Sequence, residues 1–144
     1  MKIYFAGSIS GGREKAAAYV RLIEHAAAFG KVLTEHVGSL GDIDSEEADL
    51  TDDTIYDRDM EWLASSDVVI AEVTVPSLGV GYELGAAESL GKKVLCLFDR
   101  SDGGRLSAMI AGNRSFDTRE YETLEEAEAH ITVFLKSAGP EETG

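Results

Sequence analysis

The chain has 144 residues, enough for one domain with a sizeable core. Its 13 Lys and Arg stand against 27 Asp and Glu, a formal net charge of −14, which leaves no basic stripe for an extended nucleic-acid interface. A single cysteine rules out a disulfide framework and a thiolate metal cluster, and no apolar run approaches the ~20 residues of a membrane span. A small anionic substrate remains admissible, because one pocket of backbone amides overrides the global field. Gly7 breaks the N-terminal stretch too early for a signal peptide, so the expectation is a cytoplasmic protein without metal or organic cofactor.

In chain order, "KIYFAG" reads as a buried strand ending at Gly7. The turn "GSISGGR", residues 7–13, follows. Gly7, Gly11 and Gly12 expose N–H groups there, Ser8 and Ser10 add hydroxyls, and Arg13 adds charge at a helix N-terminus, a combination suited to phosphate. The spacing is neither G-x-G-x-x-G nor a Walker A, and a tight turn without ligand explains the glycines equally well. "REKAAAYVRLIEHAAAFG" reads as a helix with Ala16, Val20, Ile23 and Ala27 inward, stopped by Gly30. The strand "KVLTEHV" and an acidic rim or lid over residues 38–53 come next, then the helix "DDTIYDRDMEWLASS" capped by Thr51 or Asp52. "DVVIAEVTV" is a third strand, rich in β-branched residues as a doubly covered strand should be. A glycine-rich turn and the helix "GVGYELGAAESLG" lead to the strand "KKVLCLFD", in which Cys96 reads as a buried thiol. A loop with one helical turn, a strand near "SFDTREY" and the helix "TLEEAEAHITVFLKS" complete a single domain over residues 1–138, with a frayed tail over 139–144. Alternating strands and helices imply a parallel sheet between two helical layers, with ligands beyond the carboxyl ends of the strands.

Two carboxylates break the amphipathic pattern. Asp59 falls on a stripe with Ile55, Trp62 and Leu63, and Glu83 on one with Val80, Ala87 and Leu90. An unpaired buried carboxylate costs several kcal/mol, so each is paired, capped or functional. Pairing with Arg58 would satisfy Asp59, and the helix dipole would favour Glu83 by ~0.3–1 kcal/mol. Two carboxyl groups facing one crevice also suit glycosidic bond cleavage, one as nucleophile and one as acid. Glycines such as Gly79 would let a sugar approach the backbone. Glu72, inside an apolar strand, is a lesser candidate for a sugar hydroxyl contact or an internal salt bridge.

The stretches "YFAGSISGGRE", "VLTEH", "DMEWLASSDVVIAEVTVPSLGVGYELG" and "KKVLCLF…GRLSAMI" resemble the 2′-deoxynucleoside 5′-phosphate N-hydrolases, within the nucleoside 2-deoxyribosyltransferase superfamily, from residue 3 to about residue 111. The resemblance implies a flavodoxin-like, three-layer α/β/α fold on a five-stranded parallel sheet. It implies homodimers whose sites borrow residues from the neighbouring subunit. Glu83 would be the nucleophile, Asp59 the carboxylate that helps protonate the leaving base, and Tyr4 the residue orienting nucleophile and sugar. Residues Gly7, Ser8, Ile9, Ser10, Gly11, Gly12 and Arg13 would form the phosphate and sugar loop. Ser77 would contact phosphate, His36 would line the pocket, and Ser107 and Met109 would reach across the dimer. Read without the resemblance, Tyr4 is strand packing, Ser107 a capping serine, Met109 a core methionine and His36 a surface residue at a strand end. One departure stands out: where vertebrate members read "SIRGG", this chain has Ser10 in place of a phosphate-binding arginine.

The implied activity is hydrolysis of the N-glycosidic bond of small-molecule 2′-deoxynucleoside 5′-monophosphates, with no nucleic-acid or membrane partner. The alternatives are transfer of the sugar to a second base, a ribonucleotide glycosidase of the CMP type, and a nucleotide-binding sensor without chemistry. The paired carboxylates argue against the sensor, because a plain phosphate binder would avoid them.

Overall fold

A computed structural model describes residues 1–8, 13–34 and 50–138, the side chains of residues 13–15 excepted. Ile9, Ser10, Gly11, Gly12, His36, the Arg13 side chain, most of the acidic segment and the tail 139–144 lie outside the described residues. Five segments dense in Val, Ile, Leu and aromatic residues form strands: β1 (Lys2–Gly7), β2 (Lys31–Leu33), β3 (Val68–Glu72), β4 (Lys93–Asp99) and β5 (Phe116–Tyr121). All pair in parallel, in the order β2-β1-β3-β4-β5. That is the flavodoxin-like order, and its switch point lies between β1 and β3, where Ala6 is level with Ala71 and Gly7 with Glu72.

The connections run through α1 (Arg13–Ala27), α2 (Asp52–Ser65), α3 (Leu78–Ser89), the short α4 (Ala108–Ala111) and α5 (Leu124–Ala138), with a 3-10 turn at Arg100–Asp102. Alternate strand residues point to opposite faces. Ile3, Phe5, Val68, Ile70, Leu95 and Leu97 pack with residues of α1 and α5. Tyr4, Ala6, Val69, Ala71, Val94 and Cys96 pack with residues of α2 and α3. Each fully buried side chain of this kind contributes ~1.5–3 kcal/mol, and covering both faces gives the three layers. Cys96 is completely buried on β4, and burial pushes its thiol up to about 12.

Three local expectations change. In α1 the buried residues are Tyr19, Leu22, Ile23 and Ala26, whereas Ala27 is exposed. An alanine-rich helix marks its inward face poorly, and the bulky Tyr19 and Leu22 decide it. Gly7 is explained by packing alone: a Cβ there would lie 2.1 Å from Tyr19 Cε2, and the Tyr19 ring stands edge-on to Phe5 at 5.2 Å. Tyr4, expected at the end of the first strand, stands in the middle of β1.

Candidate active site

The β3–α3 connection reaches Ser77, whose backbone is extended and whose Oγ accepts from Val80 N–H at 3.2 Å. This cap starts α3 at Leu78, one residue before the expected start, and Gly79, Gly81 and Gly85 lie inside the helix as expected. A Cβ at Gly81 or Gly85 would meet open space, and at Gly79 only Ser77 Oγ at 3.8 Å. Glycine costs ~0.8–1.0 kcal/mol per helical position relative to alanine, and nothing within the protomer's own packing calls for it here.

The face of α3 turned to the core is Val80, Leu84 and Ala87; Leu90 is exposed, contrary to the expected stripe. Glu83 flanks that face and is half-buried. From β1, the buried Tyr4 donates its hydroxyl proton to Glu83 Oε2. A strand on one side of the switch point thus holds a carboxylate on the helix that follows the other side.

Asp59 sits on the neighbouring α2, whose fully buried residue is Leu63. Its side chain is 14% exposed, and Oδ1 accepts from Arg58 Nε at 3.1 Å. The Arg58 guanidinium lies 4.9 Å from the Trp62 ring centroid. Pairing with Arg58, expected as one explanation of Asp59, is present. One turn before Asp59, Tyr56 meets Tyr82, the neighbour of Glu83: the rings are 6.0 Å apart at 63° and the hydroxyls 3.3 Å apart. This contact between exposed tyrosines joins the helices that carry the two carboxylates. The sequence pattern missed it, and its only signal was two tyrosines at solvent-facing helical positions.

A cleft of about 400 Å³ opens beside α3 and brings together Ser77, Leu78, Gly81, Leu106, Ser107 and Met109. Ser107 caps α4 by accepting from Met109 N–H at 3.3 Å. Met109 is 81% exposed and Leu78 is 97% exposed, so Met109 is not a core residue.

Glu72 belongs elsewhere. It shares its sheet face with Phe5, Ile70 and Leu97, on the side of α1 and α5. It lines a separate cavity of about 180 Å³ with Ser8, Tyr19, Thr74, Asp99 and Tyr121. Its Oε1 accepts from Thr74 N–H at 2.7 Å and its Oε2 from the Tyr121 hydroxyl, so these contacts, neither of them to a cation, hold it. Burial pushes the Glu72 carboxyl above its ordinary range, against the opposing effect of the bonds from Thr74 and Tyr121. Burial also raises the Tyr121 hydroxyl, reinforced by the nearby Glu72 charge. Among the described residues no group of three His, Cys, Asp or Glu could hold a metal ion, and no helix is long and apolar enough to cross a membrane.

Residues 3–110 match the family model described as nucleoside 2-deoxyribosyltransferase. The chain belongs to this family. Among its relatives, a Tetraodon nigroviridis protein named 5-hydroxymethyl-dUMP N-hydrolase is 56% identical over 126 residues, covering 84% of this chain and 88% of that one. The Homo sapiens protein of the same name is 47% identical over 135 residues, covering 92% and 76%. A Clostridium botulinum CMP N-glycosidase structure superposes with a TM-score of 0.70 at 18% identity, covering 93% of this chain and 99% of that one. At that identity the likeness speaks for the fold.

Proposed function

We propose that this family member hydrolyses the N-glycosidic bond of 2′-deoxynucleoside 5′-monophosphates, giving free base and 2-deoxyribose 5-phosphate. The observation that carries the reading is the Tyr4–Glu83 hydrogen bond at the switch point. Relatives at about half identity, named N-hydrolases, support it.

Glu83 attacks C1′ while the C1′–N bond breaks and its electron pair leaves with the base. Asp59 helps deliver a proton to that base. The deoxyribosyl ester on Glu83 is then opened by water, whose proton returns to Asp59, and Glu83 is released as carboxylate. Tyr4, by donating to one oxygen of Glu83, fixes the other toward the sugar. Ser77 and the amides that open α3 take the 5′-phosphate, residues 7–13 serve phosphate and sugar, His36 lines the pocket, and Gly79 admits the sugar. Ser107 and Met109 complete the site of a second copy in a cytoplasmic homodimer, a role supported by the exposure of Met109 and Leu78 beside the cleft.

The test is base release, followed by chromatography, from deoxynucleoside 5′-monophosphates including 5-hydroxymethyl-dUMP, beside unphosphorylated nucleosides and ribonucleotides. Release confined to deoxymonophosphates supports the hydrolase and means Ser10 is tolerated. Release only with a second free base present would mark a transferase, release from CMP a ribonucleotide glycosidase, and tight binding without release a sensor.

A further inference from the structure

Residues 73–77 connect β3 to α3 without regular structure, so their position depends on what they are tied to. At the β3 end, Val73 N–H bonds Leu97 O at 2.9 Å, continuing the sheet. Thr74 is tied twice: its N–H donates to Glu72 Oε1 at 2.7 Å, and its Oγ1 accepts from Asp99 N–H at 2.9 Å. Glu72 is itself pinned by the Tyr121 hydroxyl at the end of β5. The chain then runs through Val75 and Pro76 to Ser77, which caps α3. Glu83, by contrast, takes its bond from Tyr4 on β1.

We infer that Glu72 is a positioning residue: with Tyr121 it clamps Thr74 to the ends of β4 and β5, and so sets where the turn presents Ser77 and the first amides of α3. The inference rests on the proposed reading in which that end of α3 takes the 5′-phosphate. A Val or Leu would fill the same space but could not accept from Thr74 N–H. A carboxylate or amide oxygen can, which explains why a polar residue ends an otherwise apolar strand in spite of its burial. Because Tyr4 holds Glu83 independently, loosening the clamp should disturb phosphate binding far more than bond cleavage.

The experiment compares Glu72→Ala, Glu72→Gln and Tyr121→Phe with the parent protein. Steady-state base release is measured from a deoxynucleoside monophosphate and from its unphosphorylated nucleoside. Amide hydrogen exchange of the segment 73–78 is followed without substrate. The expected result for Glu72→Ala is a KM for the monophosphate raised about tenfold, with kcat within about threefold. Exchange at Thr74–Ser77 should be faster and the unphosphorylated nucleoside unaffected. Glu72→Gln, whose amide oxygen still accepts from Thr74, should restore the parent KM and exchange. Tyr121→Phe, which deletes one hydroxyl and keeps the ring, should fall between. Unchanged exchange and unchanged KM in Glu72→Ala overturn the clamp, as does an equal fall in kcat for both substrates. If the parent protein releases no base from any monophosphate, the hydrolase reading fails, and the exchange comparison alone decides whether Glu72 holds the turn.

Discussion

Two carboxylate–tyrosine pairs stand near the same edge of the sheet, on opposite faces. Tyr4 donates to Glu83 on the side of α2 and α3, and Tyr121 donates to Glu72 on the side of α1 and α5. The chemistry of each contact is the same, but the settings differ. Both oxygens of Glu72 are engaged, one by a backbone N–H of its own turn, in a small cavity walled by Tyr19 and Thr74. Glu83 rises half-buried from α3 and takes a bond from a phenol of β1, and a cleft more than twice as large opens along another face of the same helix. A carboxylate whose two oxygens are taken by its own turn and by Tyr121 is poorly placed to attack a ligand, whereas one that a phenol orients at the switch point is well placed. The residue type does not distinguish a working acid from a structural one; the neighbours do.

Exchanging the two carboxylates for amides is the sharpest way to break that contrast. Glu83→Gln should lower kcat by more than about 10³-fold with folding intact, since an amide cannot form the glycosyl ester. Glu72→Gln should keep kcat within about threefold. Equal losses in the two variants would erase the distinction. Deleting the phenol that holds Glu83 comes next. Tyr4→Phe should lower kcat by about 10–100-fold while monophosphate affinity holds, because it frees Glu83 to rotate without touching Ser77. A rate equal to the parent would leave Tyr4 as packing.

Smaller effects should appear in stability. Ser77→Ala removes the α3 cap and should cost about 1 kcal/mol in urea unfolding. Gly81→Ala, in open space on a helix, should add about 0.5–1 kcal/mol while weakening any second copy that closes on the cleft. A destabilised Gly81→Ala protomer would mean the space is not open. The smallest difference concerns pH. Burial raises the folded Glu72 carboxyl above its unfolded value, so the stability it contributes is full below the ordinary carboxylate range and is lost as pH rises through the raised value. Glu72→Gln lacks this titration. Its stability relative to the parent should therefore climb as pH rises from the ordinary carboxylate range through the raised value, and a flat difference in unfolding midpoints would contradict the assignment.

Much of the fold was legible because it is written locally. The β-branched run at Val68–Ala71 and the alternation of strand and helix led to the parallel sheet, and Thr51 marked the start of α2 as observed. Where several small residues competed, local pattern gave out. The alanines of α1 could not show which face Tyr19 and Leu22 would bury. At the candidate site, the misfit carboxylates Asp59 and Glu83 were visible as breaks in periodicity, and Arg58 as a sequence neighbour. Tyr121 as the partner of Glu72 was not visible, because it stands two strands away and no short-range rule couples them. Met109 misled for a related reason: a methionine in "LSAMIAG" looks like core, yet α4 is a single turn that presents it to solvent.

The placement of Cys96 gives the molecule a built-in clock. It is the chain's one cysteine, and its strand is held on both sides, with Ala71 level on β3 and Thr118 on β5. The sulfur packs in the layer under α2 and α3, so a reagent reaches it only when that side of the core opens. The rate at which a thiol dye couples to the untouched protein therefore times the opening of that core, without any label having to be engineered in.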